Sequence, residues 1–180
     1  MECKALGTVA AEALGDLQER LLGLCGVPGQ EVYLQELVLR SSNPDRSELH
    51  LQHGSRKAGE PGWWTAAEYR IPLQGRAAAD LPATVRSVVR TQCQGPDVPG
   101  FWRALGFSLA YQLGKQGTLF HVEHADHQLQ VLLCQVRRLS GVWPASVVEG
   151  EELVPGFWLV EATTTAKDGA YTEAAAALGA

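Results

Sequence analysis

The hydrophobic positions change their spacing near residue 31, from a helical period to an alternating one. Before that point, Leu14, Leu17, Leu21 and Leu24 form one apolar stripe between polar positions. This spacing predicts a helix over residues 10–26, ended by a glycine and a proline. The stripe is narrow, so we expect this helix to lie on the surface of a larger element.

After residue 31 the alternation is typical of β-strands. Glycine, proline, serine and aspartate separate the alternating runs, as turn residues do. The run over residues 83–93 also fits a helix, but its valine and threonine content favours a strand. The predicted strands of this part are residues 31–39, 48–53, 63–72 and 83–93.

The segment over residues 100–139 predicts a short helix followed by three consecutive antiparallel strands. Asp97 is placed as the N-cap of this helix. The sequence GKQG over residues 114–117 is interpreted as the first reversal, and Ala125 with Asp126 as the second. A loop over residues 140–156, a strand over 157–163 and a C-terminal helix over 167–179 complete the prediction.

These elements predict an α+β fold that is mainly β, in one domain over residues 1–180. About eight strands, within residues 31–163, are joined by connections too short for parallel crossovers, which favours antiparallel pairing. Such a sheet either splits into a sandwich or closes into a barrel that hides its edges. We expect an antiparallel β-barrel with a helix at each end and a short helix before the central meander.

Charge and composition exclude several classes of function. The net charge is −5, and the arginines and lysines form no cluster, so we expect no direct binding of nucleic acid. The longest run without a charged residue has 11 residues, over 104–114, which is too short to span a membrane. The four cysteines lie far apart without a C-x-x-C pair and are interpreted as reduced thiols of a cytosolic or nuclear protein.

One stretch, HVEHADH over residues 121–127, has the composition of a metal site. On a strand, His121 and Glu123 share a face while His124 points away from both. Asp126 and His127 belong to the predicted turn. We therefore interpret the stretch as the polar tip of a hairpin, and we expect neither a bound metal nor a cofactor.

A second candidate is a divalent-metal-dependent phosphohydrolase of the tunnel type, which needs glutamates on strands that face inward. Glu149 and Glu151 have the E-x-E spacing but stand next to glycine and near a proline, which favours a solvated loop. Surface placement is also the preferred interpretation of the other residues that could line a tunnel, namely Glu68, Arg70, Arg86 and Arg90. No nucleophile motif is present, and we expect no catalytic residues.

The adjacent Trp63 and Trp64 must point to opposite faces of a strand. One indole can fill a barrel, and the other needs cover from a helix, a loop or another chain. Both tryptophans are therefore candidate partner-binding residues, since tryptophan is enriched among interface anchors. Cover from within the chain is the alternative.

The order of features resembles the Mediator head-module subunit 18 family. The resemblance rests on LQERLLGLCG followed by EVYLQELVLR, on PATVRSVVRTQ leading into VPGFWRALGFSLAYQLGKQGTLFHVE, on LQVLLCQVRRL, and on FWLVEATTT before a helix. The loops over residues 54–62 and 140–155 depart from the family's commoner pattern.

This resemblance implies a nuclear, non-catalytic coactivator subunit that links regulators to RNA polymerase II. It also implies a barrel that pairs with Mediator subunit 20 and binds the C-terminal helix of subunit 8. A metal-dependent triphosphate phosphohydrolase is the alternative, because the family's barrel is similar to that of such enzymes.

Overall fold

A computed structural model describes residues 1–43, 47–56, 62–140, 150–167 and 169–179. In this part of the chain, ten strands form one antiparallel sheet, and four α-helices accompany it. The strands are β1 (Glu2–Ala10), β2 (Gln30–Ser41), β3 (Leu49–Ser55), β4 (Trp63–Tyr69), β5 (Thr84–Arg86), β6 (Val88–Cys93), β7 (Phe107–His124), β8 (His127–Arg138), β9 (Glu151–Glu152) and β10 (Phe157–Thr165). The helices are α1 (Leu14–Cys25), α2 (Arg76–Ala79), α3 (Val98–Ala104) and α4 (Tyr171–Ala177).

The sheet order is β5-β1-β10-β8-β7-β2-β3-β4-β6, with β9 paired to β8 outside this path. The two end strands of the path, β5 and β6, are separated in the chain by Ser87 alone. The two strands pair with different neighbours: β5 pairs with β1, and β6 pairs with β4. One bent stretch of chain therefore meets both ends of the sheet.

The mainly β, antiparallel α+β class is confirmed, but barrel closure is not. Among the described residues, the ladder between β1 and β5 ends at Glu2 and Arg86 and does not continue along β6. The hydrogen-bonded sheet is therefore an open path and not a ring. Ten strands are found in this part of the chain, where about eight were expected.

The first strand was missed by the sequence prediction, and the first helix is shorter than predicted. Residues 2–10 form β1, which lies between β10 and β5. Ala11–Ala13 form a 3-10 turn, and α1 begins at Leu14, so the predicted helix over residues 10–26 starts too early. The predicted end is correct, since Gly26 adopts φ 69° and its N–H bonds to the carbonyl of Leu22.

The predicted three-stranded meander is wrong, because β7 runs unbroken through residues 114–117. Gly114 lies opposite Gln35, and Gly117 lies opposite both Val32 and Cys134. A Cβ on Gly117 would lie 1.9 Å from the carbonyl oxygen of Leu133. This glycine therefore permits close approach of two strands and does not make a turn.

Other boundaries also differ from the prediction. The predicted strand over residues 83–93 is split at Ser87, and the fourth strand ends at Tyr69. The C-terminal helix, expected over residues 167–179, is limited to Tyr171–Ala177. Strands β1 and β10 extend beyond the predicted strand region of residues 31–163, while the predicted loop after residue 140 contains β9.

Helices α1, α3 and α4 cover one face of the sheet, here called the helix face, and most of the apolar core lies beneath them. Helix α1 packs Leu21 against Phe120 and Leu133 of the two central strands. Helix α4 packs Ala174 and Ala175 against Cys3 of β1. A third cluster of the buried core joins Val98 of α3 to strands β2, β3 and β4 through Leu37, Leu39, Leu49, Leu51 and Ala66.

Candidate functional site

The opposite face of the sheet, here called the cavity face, lines an open cavity of about 310 Å³. Strand alternation places every second residue of β1, β2, β3, β4, β6, β7, β8 and β10 on this face. Some of these positions carry charged side chains, and others carry aliphatic ones, namely Val32, Leu34, Leu119 and Leu132. The polar residues that line the cavity are Glu2, Lys4, Glu36, Gln52, Tyr69, Arg90, Lys115, Gln130, Glu161 and Thr163.

Lys115 on β7 is the centre of the larger of two ion-pair groups. Its Nζ lies 2.6 Å from Oε1 of Glu161 and 3.5 Å from Oε2 of Glu36. Burial opposes the charged ammonium, but the charges of the two carboxylates outweigh it and raise the pKa of Lys115. Lys4 of β1 binds the second oxygen of Glu161 at 2.8 Å. Two lysines therefore share Glu161.

Glu36 is held in its ionised form although it is almost buried. Burial would raise its pKa, but a hydrogen bond with His50, the charges of Lys115 and His50, and a hydrogen bond from Gln52 lower it to about 2. The Nδ1 atom of His50 lies 2.7 Å from Oε1 of Glu36. Glu161 is also held in its ionised form. Burial would raise its pKa, but the positive charges of Lys115 and Lys4 outweigh burial and lower it.

Glu2 anchors the second group, at the junction of the two sheet ends. Its carboxylate accepts a hydrogen bond from Nε of Arg86 at 3.2 Å and contacts the guanidinium of Arg90. Arg86 also lies 3.7 Å over the ring of Tyr69, a cation–π contact. Tyr69 meets His50 edge-on, with ring centroids 4.7 Å apart, so the two groups are joined through these rings.

The arrangement neutralises most of its own charge. Four cations (Lys4, Arg86, Arg90 and Lys115) face three carboxylates (Glu2, Glu36 and Glu161), and each carboxylate binds at least one cation. Within the described residues, no three histidine, cysteine, aspartate or glutamate side chains converge as metal ligands would. The buried thiol of Cys134 is not a nucleophile at neutral pH, since burial raises its pKa to about 12.

Most of the residues considered for a phosphohydrolase lie elsewhere. Arg70 is exposed, Glu68 is half-buried with Oε1 3.6 Å from Nη2 of Arg70, and Glu151 is exposed on β9. Glu149 lies outside the described residues. Arg90 is an exception, because it lines the cavity, although 40% of its side chain remains exposed as surface placement predicts. Arg86 is half-buried and shares Glu2 with Arg90.

The histidine-rich stretch lies at the tip of the hairpin between β7 and β8. His121 pairs with Gln130 and Glu123 with Gln128, while His124 and His127 close the turn. His121, Glu123 and His124 are exposed, and His127 is half-buried. The predicted alternation of side chains is therefore found, and the turn is Ala125-Asp126 as expected.

Trp63 and Trp64 lie on opposite faces of β4, as the alternation requires. Trp63 lines the cavity and remains 47% exposed. Trp64 packs against the core cluster that contains Val98 and is joined there by Trp102 of α3. Its cover therefore comes from within the chain.

Sequence reasoning missed the residues that make the cavity polar: Glu2, Lys4, Glu36, Lys115 and Glu161. A usable signal existed for two of them. Glu36 and Glu161 each interrupt an apolar strand, in EVYLQELVLR and in FWLVEATTT. A lone carboxylate in the middle of such a strand needs a buried cation opposite it.

Comparisons with known proteins give one similar sequence and several similar folds. The chain is 29% identical to the Mediator of RNA polymerase II transcription subunit 18 of Arabidopsis thaliana over 182 residues, which cover 99% of this chain and 80% of the relative. No family model matches the chain.

Among solved structures, the Schizosaccharomyces pombe Mediator head module contains a chain with a TM-score of 0.78 and 17% identity, over 99% of this chain and 90% of the other. The PH1819 protein of Pyrococcus horikoshii gives 0.65 and 15%, over 99% and 86%. The Hippeastrum protein HpAC1, described as having a dominant triphosphatase activity, gives 0.52 and 11%, over 92% and 80%. These structural likenesses concern the fold.

Proposed function

We propose that this chain, whose resemblance to the Mediator subunit 18 family is confirmed over 99% of its length, is a non-catalytic structural subunit of a Mediator head module. In this role it is a nuclear coactivator component that links regulators to RNA polymerase II. The observation that supports this role most strongly is the sequence match over almost the whole chain. The fold shared with a chain of a solved head module supports the same role.

The cavity supports a structural role for its charges. In the larger group, Lys115 is held by Glu161 and Glu36 at hydrogen-bond or ion-pair distance. In the second group, Glu2 is held by two arginines. A phosphate ligand would have to compete with these carboxylates for the cations. In the described part of the chain, the carboxylates are too dispersed to form a metal site.

We extend the proposal to the shape of the sheet, which we infer to be an incomplete barrel. Two observations support this inference: the end strands β5 and β6 are adjacent in the chain, and Glu2 of β1 contacts Arg90 of β6 across the gap. In this arrangement the cavity is the barrel interior, and the side between β1 and β6 is open.

We also propose that the partners are Mediator subunit 20, as a heterodimer, and the C-terminal helix of subunit 8. Trp63 is the more accessible of the two proposed partner-contact residues, and Trp64 packs against the core cluster on the helix face. A half-exposed indole at a cavity mouth has the accessibility that an interface anchor needs.

The test is purification of the tagged chain from its own cells under gentle conditions. The proposal expects Mediator head subunits, including subunits 20 and 8, in stoichiometric amounts. Recovery of the chain without any Mediator subunit would overturn it. Trp63→Ala should weaken recovery of subunit 20, whereas Ile71→Ala, which removes a side chain that is 80% exposed, should not.

A phosphohydrolase is the second candidate, favoured by the four cations of the cavity face. Its test is phosphate release from a nucleoside triphosphate by the purified chain with a divalent metal. Activity that is lost in Glu161→Gln would favour this candidate, and the non-catalytic proposal expects no release above the buffer rate.

A further inference from the structure

The outer edge of β6 is open in the described part of the chain. Strand β6 pairs with β4 on one side only, and no backbone hydrogen bond links residues 88–93 to another segment. An unpaired strand edge is a ready template for another extended chain. The edge lies beside the gap where the ladder of β1 stops at Glu2.

The hydrogen-bond pattern identifies which backbone groups face outward. The N–H of Arg70 donates to the carbonyl of Ser87 at 3.0 Å, so the backbone groups of Ser87 point towards the side of β4. In an antiparallel ladder this direction alternates along the strand. The backbone groups of Val89, Thr91 and Cys93 therefore bond β4, and those of Val88, Arg90 and Gln92 face the open edge.

The edge carries few of the features that protect exposed strands from pairing. Val88, Val89 and Thr91 are β-branched, which favours strand addition. The strand contains no lysine and no proline, and its ladder with β4 has no bulge. Its one charged side chain, Arg90, is held by Glu2.

An apolar groove lies next to the end of this edge on the helix face. Its volume is about 520 Å³, and its lining includes Cys93, Pro96, Phe101 and Trp102. The Phe101 side chain is 58% exposed. An added strand would therefore place the side chains of one of its faces against aromatic and aliphatic surface.

The other face of an added strand would meet positive charge. Among the described residues, Glu2 is the carboxylate that pairs with both Arg86 and Arg90, so two cations share one carboxylate at this end of the cavity. Arg90 lies on the edge strand itself, and 40% of its side chain remains exposed. Acidic side chains on the occupant would complement this excess.

We propose that the open edge of β6 is a docking site for an extended segment of another polypeptide, which adds as a strand, with apolar side chains towards the Phe101 groove and acidic side chains towards Arg90. Main-chain hydrogen bonds to Val88, Arg90 and Gln92 supply the affinity, and the alternating side chains supply the specificity. Docking at this edge does not require membership of a Mediator complex.

The test uses the purified chain and fluorescein-labelled peptides of about ten residues, the length of one added strand with short ends. In the first peptide valine alternates with glutamate, and in the control peptide the same residues stand in two blocks. We expect saturable binding of the alternating peptide by fluorescence anisotropy. No binding, or equal binding of the block peptide, overturns the proposal.

Gln92 offers a matched pair of variants, since its side chain is exposed and its N–H faces the open edge. Gln92→Pro removes that N–H and leaves the ladder to β4 intact, because proline is tolerated where the N–H faces outward. We expect roughly tenfold weaker binding, as for loss of about 1.4 kcal/mol. Gln92→Ala keeps the N–H and should bind as the parent does. Equal binding by both variants overturns the proposal.

Amide hydrogen exchange gives a readout on the parent chain that needs no variant to fold. Peptide binding should slow exchange at Val88, Arg90 and Gln92, whereas Val89 and Thr91, already bonded to β4, should change little. Slowing at other sites only would contradict the proposal. A dimer in sedimentation equilibrium that Gln92→Pro dissociates would assign the edge to a second copy and would likewise overturn it.

Discussion

Lys115 and Glu161 form an ion pair inside the cavity, with Nζ 2.6 Å from Oε1 and with side chains that are 12% and 10% exposed. The pair is not isolated, because Glu36 and Lys4 extend it to neighbouring strands β2 and β1. It therefore connects strands that are far apart in the chain. Its contribution to stability can be tested, because an exposed ion pair with a similar N–O distance, Arg40–Glu48, serves as a control.

Lys115→Met should be strongly destabilising. The change keeps the length of the side chain but leaves Glu36 and Glu161 without their shared cation, and removing one partner of a buried pair costs about 3–5 kcal/mol. Urea denaturation measures the loss. Arg40→Met is the control, since the Arg40–Glu48 pair at 2.8 Å is 64% and 42% exposed, and exposed pairs contribute about 0–1 kcal/mol. Equal losses in the two variants would contradict a structural role for the buried group.

Stability should decrease as the pH falls from about 4.5 to about 2, since these are the ordinary and the folded-state pKa of Glu36. A carboxyl whose pKa is lower in the folded state stabilises it above the unfolded-state pKa, and protonation removes that stabilisation on acidification. Glu161 acts in the same direction. For Glu36 the loss is on the order of 3 kcal/mol.

The midpoint of urea denaturation, measured at a series of pH values, checks this expectation. Glu36→Gln should start from a lower midpoint and fall less steeply over the same pH range. A variant with the same slope as the parent would show that other carboxyl groups cause the acid sensitivity.

Gly117→Ala should destabilise the central pair of strands. The new Cβ would lie 1.9 Å from the Leu133 carbonyl oxygen and 2.7 Å from Cα of Cys134, so the backbone of β7 or β8 would have to move. Overpacking of this kind costs about 1–3 kcal/mol or more. Gly7→Ala on β1 is the matched control, because a Cβ there meets no atom within 4 Å. Thermal denaturation that shifts equally in both variants would exclude a special role for Gly117.

Asp126→Gly should stabilise the protein. Ala125 and Asp126 close the hairpin with φ values of 48° and 64°, in the region that glycine and asparagine adopt most readily. Removing the strain at Asp126 should raise the free energy of unfolding by about 0.5–1 kcal/mol. The reverse test is Gly106→Ala, where φ is 89° and an alanine should be destabilising. Loss of stability in Asp126→Gly would show that the aspartate side chain makes the turn.

The sequence was informative where a side chain alone determines local structure. The leucine stripe of α1 and the stop at Gly26 follow from helical spacing. Asp97 caps α3 as expected, and its Oδ1 accepts the N–H of Gly100 at 2.8 Å. Trp63 and Trp64 lie on opposite faces because strand geometry leaves no alternative.

It was uninformative where the partner of a residue lies on a distant strand. Strand β1 was missed because Glu2 and Lys4 are charged, and their partners on β5, β6 and β10 lie far away in the sequence. The sequence GKQG predicted a turn at Gly117. In the structure this glycine instead allows β7 to lie close to Leu133 and Cys134 of β8. Periodicity assumes that the covered face of a strand is apolar, whereas the cavity face of this sheet carries Glu2, Lys4, Glu36, Lys115 and Glu161 beside its aliphatic residues.

The position of β1 also has a consequence for synthesis of the protein. This strand is made first, yet its longest ladder is with β10, where Ala10 meets Phe157 and Glu2 meets Thr165. Ribosomes add about 5–20 residues per second, so the nascent β1 waits on the order of 10 s for its main neighbour. Because charged side chains disfavour pairing of exposed strands, we expect Glu2 and Lys4 to oppose aggregation of β1 during that interval.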